Sequence, residues 1–149
     1  MTDDTDMQKK TGPIVSLDMP YVDARGEIQQ LVQANIESAQ LITCAENAVR
    51  ANHYHKEDWH YCYMIYGSMR YYTRDVGSMD KPFWILVTAG QVVYTPPMEE
   101  HAMEFLEDSA FINFAGRPRD QHDYEDDLVR VELVPAEGGF SVALMAQGD

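Results

Sequence analysis

Three of the chain's five histidines, His53, His55 and His60, fall within eight residues of one another. Imidazole changes charge near neutral pH and is the commonest metal ligand, suiting zinc, copper, iron and nickel. His53 and His55 are two apart, so a strand points both to one face. The polar stretch Lys56 to Trp59 reads as a short turn. From His60 the alternation restarts, with Cys62 and Met64 on the histidine side and Tyr61, Tyr63 and Ile65 on the other, until Gly67 closes the strand. Two strands joined in this way aim three imidazoles at one point. A fourth, His101, follows the double proline Pro96-Pro97 and opens another alternating run with Met103 and Phe105. A lone histidine on an apolar face is ordinarily a hydrogen-bonded core residue, but four at these spacings suggest a shared centre. The expected metal set is His53, His55, His60 and His101, holding one divalent transition metal per chain (Zn, Fe, Ni or Cu). The alternative is that the histidines act as acid and base without a metal.

These spacings resemble a known pattern. His53, His55, four residues, His60, six residues and Gly67 are similar to the first motif of the cupin superfamily, with His60 where cupins usually carry glutamate. Gly90, Pro96 and His101 resemble the second motif, with Met98 in place of its middle glycine. The resemblance implies an all-β fold, a double-stranded β-helix or cupin jelly-roll barrel in a single domain. We expect that domain over residues 13–134, between a flexible tail at 1–12 and a C-terminal extension at 135–149 that could pack on a partner subunit.

The elements that must position the histidines can be read from turn residues. Short strands are expected over Ile14–Leu17, Ile28–Gln33, Ala39–Cys44 and Ala48–His55. A hairpin of Tyr61–Tyr66 and Ser68–Arg74 turns about Gly67, and further strands cover Phe83–Val87, Val92–Thr95, His101–Phe105 and Phe111–Ala115. Tyr124 to Val134 reads as a helical turn and a last strand. Many short strands with turn residues between them argue for a sandwich or barrel.

Composition limits the partners. With 25 acidic against 11 basic residues the net charge is −14, which argues against nucleic acid and against anionic membranes. No apolar run approaches the roughly 20 residues needed to span a bilayer. The acidic N-terminus has no apolar core, and the two cysteines, Cys44 and Cys62, fit a reduced, cytoplasmic protein. Open sheet edges need covering, so a homodimer is expected.

Flanking residues narrow the substrate of the resemblance. Asp23-Ala24-Arg25-Gly26 resembles a turn of nucleotide-sugar 3,5-epimerases. Arg50 before His53-Tyr54-His55-Lys56 resembles a motif of cupin 3,4-ketoisomerases and of the metal-binding cupin domain of capsule-polysaccharide enzymes. The implied substrate is a small molecule, a nucleoside-diphosphate-linked 4-keto-6-deoxy sugar, from which a base removes a proton next to the ketone. His53, His55 and His60 are the candidate acid–base groups, with Tyr63 as a phenolic acid. Arg25, Arg50, Arg70 and Arg117 are the candidate diphosphate contacts, since a guanidinium suits phosphate. Two rival readings stand beside this one: an Fe, Ni or Cu dioxygenase of a small molecule, and a cupin that binds a small molecule without turnover.

Overall fold

The computed structural model describes residues 12–135. Apart from residues 12 and 135 themselves, the expected N-terminal tail and C-terminal extension lie outside the described residues. In chain order the elements are β1 (Tyr21–Asp23), β2 (Gly26–Ile28), β3 (Ser38–Cys44), β4 (Val49–His55), β5 (His60–Tyr66) and β6 (Ser68–Asp75). They continue with β7 (Phe83–Thr88), β8 (Val92–Thr95), β9 (Glu99–Phe105), β10 (Ser109–Ala115), α1 (Gln121–Asp127) and β11 (Leu128–Arg130).

Two antiparallel sheets form the barrel, one ordered β3-β10-β5-β8 and the other β11-β4-β9-β6-β7, while β1 and β2 make a separate hairpin. Alternation explains the core. Cys62 and Met64 of β5, Met69 and Tyr71 of β6, and Phe105 and Phe111 of the facing sheets are all buried between the layers. Gly67 turns β5 into β6 with φ of +92°, and a Cβ there would lie 2.5 Å from the Ser109 Cβ, so only glycine fits. Among the described residues no helix is long and apolar enough to cross a membrane.

Two expected strands are shorter than read. Ile28 ends β2, and residues 29–37 are irregular, because after Ile28 few side chains are buried. Ile14 contributes only an isolated bridge to Val93, with Val15 N–H donating to Val92 O at 2.8 Å.

The strand that carries the first two histidines is not regular. A bulge between Ala51 and His53 interrupts its pairing with β9, and Ala51 and Asn52 have φ of +70° and +54°. The extra residue shifts the alternation, so Arg50 and His53, three apart, both line the barrel cavity. Asn52 is tied down from the C-terminal side: its Nδ2–H donates to Val134 O at 2.8 Å, and its Oδ1 accepts from the N–H groups of Leu133 and Val134, both at 3.1 Å. A left-handed alanine is strained, so Ala51→Gly should raise stability by about 0.5–1 kcal/mol in chemical denaturation, with the fold retained.

Candidate active site

His53 and His101 are direct cross-strand partners on β4 and β9, which puts their rings on one face at a centroid separation of 4.7 Å. His55, one pleat further along β4, lies 4.8 Å from His53. His60 comes from the opposite sheet and approaches His55 to 4.4 Å. The cluster is therefore built by both layers of the barrel. All four imidazoles are buried, at 1–8% exposure.

They do not converge equally. One ring nitrogen from each of His53, His55 and His101 lies within 4.8 Å of the other two, whereas His60 groups with His55 and Asp58. The ligating atoms thus fall in two overlapping groups that share His55. The cause is local: His60 Nε2 is 3.1 Å from Asp58 Oδ2, and Asp58 Oδ1 is pinned by the N–H groups of Trp59 at 2.8 Å and Gly116 at 3.0 Å.

Asp127 closes the cluster from the far end of the chain. Its Oδ2 lies 3.2 Å from His55 Nδ1, and its carboxylate also accepts the N–H groups of Glu57 at 2.8 Å and Asp58 at 3.2 Å. A carboxylate can only accept, so Nδ1 of His55 carries the hydrogen and Nε2 keeps its lone pair. That Nε2 is buried without a hydrogen-bond partner. An orphaned buried lone pair, backed by a carboxylate on the other ring nitrogen, is the arrangement of a metal-ligating histidine.

The electrostatics agree with neutral imidazoles at His53, His55 and His101. Burial, followed by the neighbouring His53, His55 and His60, pushes His101 well below the ordinary histidine range. Burial, then His55 and His60, then the charges of Arg130 and Arg119, does the same for His53. His55 falls to about 4, mainly by burial and His60, against the opposing pull of Asp127 and Asp58. Burial raises Asp58, but the hydrogen bond and charge of His60 outweigh it and hold this carboxyl below its usual value. Neutral imidazoles are the form that binds a metal. His53, His55 and His101 could hold one ion and leave a coordination position open, as catalytic sites with three protein ligands do.

His53, His60 and His101 form the floor of a cavity of about 420 Å³, walled by β3, β4, β9 and β10, while His55, buried beside them, does not line it. Of the arginines expected at its mouth, only Arg50 lines it. Arg117 pairs with Glu57 and borders a small adjoining pocket beside Asp58, His60 and Asp127. Arg25, 87% exposed, is bound to Asp23 in the β1–β2 turn. Arg70 lies on the face of β6 opposite the buried Met69 and Tyr71, where it pairs with Glu104 at 2.9 Å and lies over the Trp84 ring. Neither Arg25 nor Arg70 lines the cavity. Tyr63 does not reach it either: an odd number of residues from His60, it lies on the other face of β5, which removes the phenolic acid from the floor.

Four site residues lie outside the expected set: Asp58, Asp127, Arg119 and Tyr124. Asp58 stands two residues before His60, a signal within reach had the loop not been read only as a turn. Arg119 lies in the Arg117-Pro118-Arg119-Asp120 exit loop after β10, its guanidinium 4.3 Å from the centre of the Tyr124 ring. That ring, on α1, is 5.8 Å from His55.

No family model matches the sequence, and no match is found among curated proteins. Solved structures do match. A sugar 3,4-ketoisomerase, QdtA from Thermoanaerobacterium thermosaccharolyticum in complex with TDP, is 17% identical, with a TM-score of 0.63 over 80% of this chain and 87% of that one. The capsular polysaccharide assembling protein CapF from Staphylococcus aureus is 20% identical, with a TM-score of 0.60 over 79% of this chain and 33% of that one. The rmlC epimerase of Mycobacterium tuberculosis is 12% identical, with a TM-score of 0.63 over 78% of this chain and 66% of that one. These likenesses, with the two facing antiparallel sheets, show the fold: a cupin-type jelly roll.

Proposed function

We propose that this protein is an enzyme that moves a proton next to the ketone of a nucleoside-diphosphate-linked keto sugar. In this reading His60 and Asp58 are the acid–base pair, and His53, His55 and His101 hold a divalent transition metal. The observation that carries the reading is the pairing of His60 with Asp58, while ring nitrogens of His53, His55 and His101 lie within 4.8 Å of one another. It removes a conflict, because an imidazole bound to metal has no lone pair with which to act as a base. The solved neighbours, a ketoisomerase with TDP and an epimerase, support the substrate class.

The chemistry follows from His60. Asp58 accepts from Nε2–H and so keeps the lone pair on Nδ1, which takes the proton from the carbon beside the ketone. An enediolate results. Asp58 stabilises the imidazolium that forms, and His60 returns the proton to the adjacent, former ketone carbon, while the hydroxyl proton passes between the two oxygens. The ketone has then moved by one carbon. One base on one face returns the proton on that face, which favours a ketoisomerase over an epimerase. A metal held by the three histidines would supply Lewis acidity at the ketone oxygen.

The test is TDP-4-keto-6-deoxyglucose incubated with the protein in deuterium oxide. Deuterium should enter at the former ketone carbon, now beside the shifted ketone, read by NMR. Binding of the substrate with neither a shifted ketone nor exchange would defeat the reading. Oxygen consumption in its place would favour the dioxygenase, for which the three-histidine set without a carboxylate is the supporting observation.

A further inference from the structure

A row of polar side chains crosses the inner face of one sheet. Gln40 of β3 is the register partner of Asn113 on β10, and Asn113 is in turn that of Cys62 on β5. Hydrogen bonds follow the row. Cys62 Sγ–H donates to Asn113 Oδ1 at 3.4 Å, and Asn113 Nδ2–H donates to Gln40 Oε1 at 3.3 Å. Arg119, from the loop after β10, donates Nη1–H to the same Gln40 Oε1 at 3.4 Å. A guanidinium has no acceptor, so this contact fixes which end of the Gln40 amide is oxygen. That oxygen requires the Asn113 NH₂ to face it, which leaves Asn113 Oδ1 for the thiol. Every orientation in the row therefore follows from Arg119.

The consequence lies at the Gln40 end of the row. Its Oε1 accepts twice, whereas no described residue accepts from its Nε2. Gln40 and Arg119 are both half-buried and both line the cavity. Arg119 has no carboxylate partner among the described residues, and its guanidinium lies over the Tyr124 ring. Asp58 and Asp127, which border the small adjoining pocket with it, are engaged by His60 and His55. Gln40 Nε2 and Arg119 thus offer the cavity N–H groups and no acceptor. These donors are also close to the base, because Arg119 and His60 together line both the cavity and the small pocket.

We propose that Gln40 and Arg119 hold the oxygen on the carbon that His60 deprotonates. This rests on the reading of the site as one for nucleotide-linked keto sugars. In a 4-keto-6-deoxy sugar the ketone can move only to C3, because C5 carries the ring oxygen and no hydroxyl. The oxygen held is therefore the C3 hydroxyl, which ends the reaction as the ketone. With its lone pairs engaged by Gln40 Nε2–H and Arg119, and no acceptor beside it, the hydroxyl turns its hydrogen toward the neighbouring ketone oxygen. The hydroxyl proton has to pass that way once the C3 hydrogen has gone to His60. The same donors stabilise the negative charge of the enediolate and then bind the product ketone, which can only accept. Asn113 is a positioning residue: it donates to Gln40 Oε1 and so keeps the Gln40 NH₂ for the substrate.

The experiment is calorimetric titration with TDP, TDP-glucose and TDP-3-deoxyglucose, the two sugars differing only in that hydroxyl, on the full chain and its Gln40→Met variant, with thermal melts to verify folding. The wild type should bind TDP-glucose about tenfold more tightly than TDP-3-deoxyglucose. Gln40→Met should cut that preference about threefold or more and leave TDP-3-deoxyglucose unchanged, whereas a merely structural role would weaken both sugars alike. Gln40→Glu is the second variant. It keeps an oxygen for Arg119 and Asn113 but puts another where the NH₂ was, and that oxygen would draw the hydroxyl hydrogen away from the ketone. It should fold and bind TDP-glucose, while kcat on TDP-4-keto-6-deoxyglucose falls about 10²–10³-fold. Equal binding of the two sugars by the wild type, an unchanged preference in folded Gln40→Met, or wild-type turnover by Gln40→Glu overturns the assignment and leaves the nucleotide-sugar reading standing. Failure of TDP and both sugars to bind at millimolar concentration overturns both.

Discussion

His60→Gln should lower turnover of a keto-sugar nucleotide by about 10²–10⁴-fold, the usual cost of removing a positioned general base. If the proposed site is right, metal content should not change, because His53, His55 and His101 would supply the ion's ligands without His60. Asp58→Asn is the sharper variant. The replacement amide can still accept the Trp59 and Gly116 N–H groups through its oxygen, so the loop should keep its shape. Its NH₂, however, would face His60 Nε2, now the acceptor. The ring hydrogen would move to Nδ1, and the lone pair that takes the substrate proton would be lost. We expect a fall of similar size to that of His60→Gln, in kcat more than in KM, with the melting temperature nearly unchanged. Loss of metal in either variant, read by elemental analysis, would return His60 to the ligand set.

The second large effect concerns the three-histidine group. His101→Gln should take bound metal from near one ion per chain to a small fraction, since only two protein ligands remain. Asp127→Asn should be milder. It leaves all three ligands in place but replaces the carboxylate on His55 Nδ1, and such outer partners are typically worth 10–100-fold in metal affinity. Competition with a chromogenic chelator measures both. An Asp127→Asn protein with wild-type affinity would show that Asp127 serves only to hold the Glu57 and Asp58 N–H groups. Full turnover by metal-free wild type would defeat any metal role in the reaction.

What could be read from the sequence was what depends on neighbours along the chain. The two-residue spacing of His53 and His55 and the inward set His60, Cys62 and Met64 come from strand alternation, and both are present. The turn at Gly67 follows from a glycine between two alternating runs. The cupin-type spacings led to the jelly roll. Other features depend on contacts far apart in sequence. Asp127 meets His55 across 72 residues, and no spacing rule signals it. The bulge at Ala51–Asn52 is supported by Leu133 and Val134, so local alternation alone places Arg50 on the wrong face. Arg25 and Arg70 were singled out by type, but each was already committed to a carboxylate. Tyr63 shows the opposite case. Its odd offset from His60 was visible in the sequence and should have excluded it from the floor. His60 is the most instructive. Its spacing from His55 matches the cupin motif, yet Asp58, two residues away, draws its ring into a separate pair.

The division of the four histidines is tested most directly by a crystal structure of the zinc-loaded protein with anomalous data at the zinc edge. The account predicts one ion about 2.0–2.1 Å from a ring nitrogen of each of His53, His55 and His101. His60 should remain hydrogen-bonded to Asp58, outside the coordination shell. An ion that also takes His60 as a ligand, or one bound away from His53, His55 and His101, would contradict it.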